Sequence, residues 1–207
     1  MFDRDNPPVG FVGYANSKSG LLTKLQHWFA GPGASHSFVI TYPIGTFTEI
    51  PMVFEANLLV RHNPYARYLI SAEEDYHLFM VAGATDTDIA YSLDRCTKEF
   101  SGVEYGFLQL LWFPYRWFME TILRKDVRKS KNWFTDGVIC SELWWWYCWY
   151  LTERYPEKWA KLRSILSEWN PDTFTSYDVK GICENNPDIF IPFVKYTDGV
   201  YTQLKEI

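Results

Sequence analysis

"DGVICSELWWWYCWYL", residues 136–151, sets a glycine-led turn and two β-branched residues before a thiol, then an unbroken apolar run from Leu143 to Leu151. That order reads as a short extended piece, a strand-to-helix junction at Cys140, and a buried helix that Pro156 soon ends. Local pattern leaves two readings of the cysteine equal. At a helix start, unpaired backbone N–H groups and a nearby imidazole draw a thiol below its ordinary pKa of about 8.5 and make it a nucleophile. The N–H of Cys140 would then point at a developing oxyanion. Yet free cysteine is also among the most buried residue types, a small hydrophobe in an aromatic core. Cys96, Cys148 and Cys183 have no comparable setting and read as core.

Working outward, the rest of the chain alternates between strand and helix signals without repeats or a low-complexity segment. Downstream, "PEKWAKLRSILSEW" (156–169) is a helix with Pro in its first turn. "DTFTSYDVKGI" (172–182) carries a cap-like Thr/Ser/Asp cluster, and "DIFIPFVKYTDGVYTQLKEI" (188–207) is a strand pair around an Asp-Gly turn. Upstream, "VGFVGYA" (9–15), "SHSFVITYP" (35–43) and "MVFEANLLV" (52–60) read as strands, with Phe54 and Glu55 on opposite faces. "LLTKLQHWFA" (21–30) has helical spacing and stops at Gly31-Pro32-Gly33. "YARYLIS" (65–71) and "YHLFMVAG" (76–83) are two more strands or one broken one. "DTDIAYSLDRCTKEFSG" (86–102) is a helix with an Asp cap and a Gly stop. An aromatic stretch, "YGFLQLLWFPYRWFMETIL" (105–123), is interrupted by Pro114. Helices and strands are segregated, which predicts an α+β fold. No linker divides the 207 residues, so 1–207 reads as a single domain.

Composition narrows the function classes. A net charge of −5 speaks against nucleic acid as a partner. The basic run "RKDVRKSK" (124–131) is the local exception: a solvated loop or helix face, or a patch for an anionic polymer or headgroup. Aromatic residues reach 19%, more than a core of this size needs, so some line a groove or a Trp-rich surface for a protein partner. The start, "MFDRDNPPVG", has neither a basic nor an apolar leader, and no apolar run has the ~18 residues of a membrane span. These features predict a chain made in the cytoplasm without a signal peptide. Its destination, including a virus particle or the cell wall, stays open. Four cysteines without paired short spacings speak against a disulfide scaffold, as the absence of Cys-x-x-Cys or His-x-x-x-His does against zinc.

A thiolate enzyme needs a base and a group to orient it. Of the four histidines, His27 sits in an amphipathic helix, His62 in a loop and His77 at the start of an apolar strand. His36 follows the Gly-Pro-Gly loop on a strand, facing opposite to Ser35 and Ser37 and alongside Phe38. Glu55 is a carboxylate inside an apolar strand, where an unpaired charge is expensive. Its partner is Arg61, Arg67 or solvent, or else His36 on the neighbouring strand.

The order His, strand carboxylate, then Cys at a helix start resembles the circularly permuted branch of the NlpC-type papain-fold cysteine hydrolases. The YiiX-like proteins are nearest within it, and lecithin retinol acyltransferase-like enzymes more distant. "SHSFVI" (35–40), "VFEA" (53–56), "GVEYGF" (102–107), "ICSEL" (139–143) and "TFTSYDV" (173–179) carry the similarity across most of the chain, in the family's order. The resemblance implies a permuted papain-like fold with an antiparallel sheet packed on helices and an aromatic/basic insertion at about 108–134. It implies Cys140 as nucleophile, His36 as base, Glu55 as orienting acid and Tyr105 as an oxyanion or substrate-positioning group. It implies no metal or organic cofactor. The expected activity is cleavage of an amide bond in a peptide or peptidoglycan stem through an acyl-enzyme. The alternatives are a non-catalytic papain-like module of a virus particle or secretion assembly, and a thioesterase or lipid acyltransferase using the same triad, with a membrane surface as partner.

Overall fold

A computed structural model of the protein describes residues 7–18, 21–44, 50–65, 74–134 and 137–204. Its centre is a seven-stranded, wholly antiparallel sheet. The strands are β1 Val12–Ser17, β2 His36–Ile44, β3 Ile50–Asn57, β4 Leu59–Pro64, β5 Glu74–Val81, β6 Phe190–Thr197 and β7 Val200–Gln203. Their spatial order is β4-β3-β2-β1-β5-β6-β7. The helices are α1 Leu21–Phe29, α2 Asp86–Phe100, α3 Trp112–Trp117, α4 Cys140–Arg154, α5 Ala160–Leu166 and α6 Ser176–Asn185. The fold is α+β.

Period-two alternation divides the apolar side chains between the two sheet faces. Val12, Tyr14, Val39, Phe54, Ala56 and Phe79 face a large core shared with Trp144, Tyr147, Cys148 and Leu151 of α4. Ala15, Phe38, Ile40, Val53, Tyr76 and Leu78 build a second cluster on the opposite face. The aromatic run is thus the central helix of the core. Trp144 and Tyr147 are fully buried, which explains why α4 lacks a polar stripe.

Several boundaries differ from the sequence reading, each for a local reason. "MVFEANLLV" is not one strand: Leu58 takes a left-handed backbone (φ 64°) and turns the chain into the β3–β4 hairpin. The cap of α2 is Thr85 rather than an Asp, in a reciprocal capping box with Asp88. Pro114 does not interrupt the aromatic stretch, because it falls in the first turn of α3, where a missing N–H leaves no bond unmade. Helix α5 starts at Ala160, after a turn containing Pro156, and is shorter than its periodicity implied. The Asp198-Gly199 turn joins β6 to β7 with both residues at positive φ, as a type I′ hairpin requires. The proposed strand at 65–71 lies almost wholly outside the described residues.

Candidate active site

The site forms where the start of α4 meets one end of the sheet. Leu59–Glu104 and Tyr105–Val138 bridges lay residues 104–105 beside β4 and residue 138 beside residue 105. Gly106 N–H donates to Val138 O and Val138 N–H to Glu104 O. Gly137 is required for this approach, since a Cβ there would lie 2.3 Å from Glu104 O. The chain then turns into α4, and Cys140 is its first residue. Two buried polar groups steady that turn: Gln109 Nε2 donates to Gly137 O at 3.1 Å and to Glu142 Oε2 at 3.3 Å.

His36 is the first residue of β2. Antiparallel pairing of Val39 with Phe54 sets Phe38 opposite Glu55 and puts His36 on the diagonal of Glu55, on one sheet face. His36 Nε2 meets Glu55 Oε2 at 2.7 Å, and the carboxylate is 0% exposed. Asn63 Nδ2 on β4 donates to the other oxygen, Oε1, at 2.7 Å. The sharper of the two sequence readings of Glu55 is therefore the geometry present. Arg61 pairs with Glu55 in the strand register but its side chain is exposed, and Arg67 lies outside the described residues.

The imidazole also hydrogen-bonds the Cys140 sulfur. With Nε2 on the carboxylate, Nδ1 is the ring nitrogen left for the thiol. Ser176 Oγ lies 3.5 Å from Sγ, Ser37 N–H donates to it, and the Tyr105 hydroxyl hydrogen-bonds it. Ser176 Oγ is further held by Ser37 Oγ at 2.9 Å.

These contacts outweigh the environment. Burial by itself would raise the Cys140 thiol, but the His36 charge, with hydrogen bonds from His36, Ser176 and Ser37 N–H, draws it down to about 7. Burial likewise disfavours a charged His36, yet Cys140 and Glu55 together push its pKa up to about 10. Both shifts favour the thiolate–imidazolium form of the pair. Cys96, Cys148 and Cys183 are buried without such partners, and burial pushes their thiols well up. Burial and the neighbouring Cys140 also raise the Tyr105 phenol well above its usual value, so it stays a proton donor. His27 and His62 are lowered by burial, and His77, down to about 4 through burial and the Lys195 charge, bonds Tyr14 instead.

A small cavity of about 10 Å³, room for about one water, lies beside the sulfur, lined by Gln26 of α1 with Ala30, Ser35, Tyr105, Leu110 and Phe113. No tryptophan lines it, although Cys140 itself is only 3% exposed. Among the described residues, no three His, Cys, Asp or Glu side chains converge as metal ligands would.

The sequence reading missed Asn63, Ser176, Gln109 and Glu142. Glu142, inside "ICSEL", is pushed up to about 7 by burial and by the Asp172 charge. Its position three residues after the cap residue Ile139 was the available signal, because a Glu there reaches back to the cap N–H. For Asn63 no signal existed until the hairpin at Leu58 was known.

No family model matches the chain. No curated protein matches it either. Among solved structures, the metalloprotein yiiX from Escherichia coli O157:H7 is similar at 18% identity and a TM-score of 0.40, over 56% of this chain and 67% of that one. The relationship to YiiX-like proteins is weak.

Proposed function

We propose that the protein is a cysteine hydrolase of permuted papain-like architecture that cleaves an amide bond, in a peptide or peptidoglycan stem, through Cys140, His36 and Glu55. The observation that carries this reading is geometric: Cys140 opens α4 with Ser176 Oγ 3.5 Å from its sulfur, and His36 Nε2 lies 2.7 Å from the buried Glu55 carboxylate, a setting that draws this thiol down while burial pushes Cys96, Cys148 and Cys183 up.

In this mechanism the Cys140 thiolate attacks the carbonyl carbon. The oxyanion accepts hydrogen bonds from the Cys140 N–H, which has no acceptor within the helix, and from the Tyr105 hydroxyl. The His36 imidazolium gives its proton to the departing amine as the C–N bond breaks, leaving a thioester on Cys140. Water then attacks the thioester while neutral His36 takes its proton, and the thiolate leaves. Glu55, held by Asn63, fixes the ring and stabilises its cation in both halves.

A second reading, thioester hydrolysis or acyl transfer to a lipid by the same groups, is favoured by the apolar side chains of Ala30, Leu110 and Phe113 beside the sulfur. The test is intact-mass analysis during turnover of p-nitrophenyl butyrate and of a peptide p-nitroanilide. A burst with a butyryl adduct on Cys140, absent in Cys140→Ala, supports acyl-enzyme chemistry. Release of p-nitroaniline as well selects the amidase over the thioesterase. Absence of any adduct assigns the chain to the non-catalytic papain-like module of a virus particle or secretion assembly.

A further inference from the structure

Residues 108–122 bury one side and leave an apolar stripe on the other. On the inner side Trp112 and Phe113 join a small core cluster, Gln109 is buried behind the turn at Gly137, and Arg116 makes a two-toothed pair with the buried Asp178. Leu111, Tyr115, Phe118 and Ile122 recur at helical spacing, and Phe118 and Ile122 are 46% and 54% exposed. An ordinary surface helix carries polar and charged side chains on its outer face instead.

Other exposed aromatic groups adjoin this stripe. Trp133, 69% exposed, packs against Tyr115 and Trp112. Trp28 on α1, 68% exposed, stacks on Phe29, which meets Trp117 edge-on. Both neighbours of the stripe therefore present indole rings to solvent. Leu110 and Phe113, from the same stretch as the stripe, line the small cavity beside Cys140.

Charge selects the occupant. From Arg116 to Lys131 six basic residues accompany two acidic ones, in a chain whose net charge is −5. Arg128 is taken up by Asp126 and Lys129 by Glu168. Among the described residues, Arg124, Lys125 and Lys131 form no salt bridge, and all three are exposed. The loop that carries them is held in place: Asn132 donates to Asp172 O, Thr173 Oγ1 donates to Arg128 O, and Val127 is buried. Aliphatic and indole side chains ringed by fixed cations match the acyl and headgroup layers of an anionic bilayer. No helix among the described residues is long and apolar enough to cross a membrane, so the contact is a lateral one.

We propose that the face formed by α1 and residues 107–134, whose inner side lines the Cys140 cavity, docks on an anionic lipid bilayer. This docking does not depend on the activity of Cys140. It is tested on full-length Cys140→Ala protein with phosphatidylcholine vesicles, with and without phosphatidylglycerol, by co-sedimentation and tryptophan emission.

Binding is expected only to the phosphatidylglycerol vesicles, with a blue shift, and weakening as salt rises. The exposed-site variant Phe118→Ser/Ile122→Ser should keep its circular dichroism and melting point while losing at least about tenfold in partitioning. Lys125→Glu/Lys131→Glu should lose binding to the charged vesicles in the same way. Failure to sediment with anionic vesicles, or binding that neither double variant weakens, overturns the proposal. A dimer that Phe118→Ser/Ile122→Ser dissolves, without vesicle binding, also overturns it and gives the face to a second copy of the chain.

Discussion

At the scale of single residues, the site is a competition between burial and charge that one sulfur resolves differently from the other three. His36 lies between two anionic groups, Glu55 on Nε2 and Cys140 on its other side, so its cation is stabilised from both. The active ion pair forms as pH rises through about 7, where the thiol loses its proton, and is lost above about 10, where the imidazolium does. The kcat/KM profile should therefore rise through the lower value and fall through the upper one. A profile that rises only near the ordinary thiol value of about 8.5 would contradict the coupling. Glu55→Gln keeps the shape but removes the charge behind the ring. Turnover should fall by about 10²-fold or more with the fold intact, as judged by circular dichroism. A fully active variant would mean that another group orients His36. The convergence of His36, Glu55 and Cys140 was legible because each breaks its local pattern: an imidazole on a strand, a carboxylate among apolar residues, a thiol at a helix start. Asn63 breaks no pattern, since whether an amide donates to Glu55 is decided by strand register rather than by its neighbours in sequence.

At the scale of elements, the site depends on two joints. Gly137 lets residue 138 lie against residues 104–106, which aims both Tyr105 and Cys140 at the same point. Gly137→Ala would drive a Cβ into Glu104 O, so the joint must open. The expected result is a loss of acyl-enzyme formation larger than any change at remote core positions, measurable as a reduced burst. The other joint is Arg116 to Asp178. It ties α3 to the N-terminus of α6, whose first residue, Ser176, touches the sulfur. Removing one partner of a buried pair leaves the other uncompensated, and Arg116→Ala should cost roughly 3 kcal/mol by chemical denaturation. A cost near zero would show that the pair is solvated in solution. Most elements were legible from periodicity, but their ends were not. Leu58 turns although leucine carries no turn signal, and Thr85 rather than Asp86 caps α2, because reciprocal hydrogen bonding with Asp88 decides the cap.

At the scale of the whole molecule, sheet order does what local sequence does not display. β1 pairs with both β2 and β5, so the centre of the sheet joins segments separated by more than one intervening hairpin. Strand alternation identified which side chains share a face but not which strands are neighbours, because antiparallel pairing partners look alike to hydrophobic periodicity. The tryptophans were equally ambiguous in sequence. Trp112 and Trp144 fill the interior, whereas Trp28 and Trp133 stand in solvent, a division set by packing around α4 and α3. The central claim remains that His36 holds the Cys140 sulfur as an anion at neutral pH. It is tested most directly by the pH dependence of iodoacetamide alkylation at Cys140, located by peptide mass spectrometry, in the wild type and in His36→Ala. The wild-type rate should inflect near 7, and the variant should move to the ordinary thiol value of about 8.5 or above, because burial is then unopposed. The same inflection in both proteins, or labelling of Cys140 no faster than Cys96, Cys148 and Cys183, would contradict it.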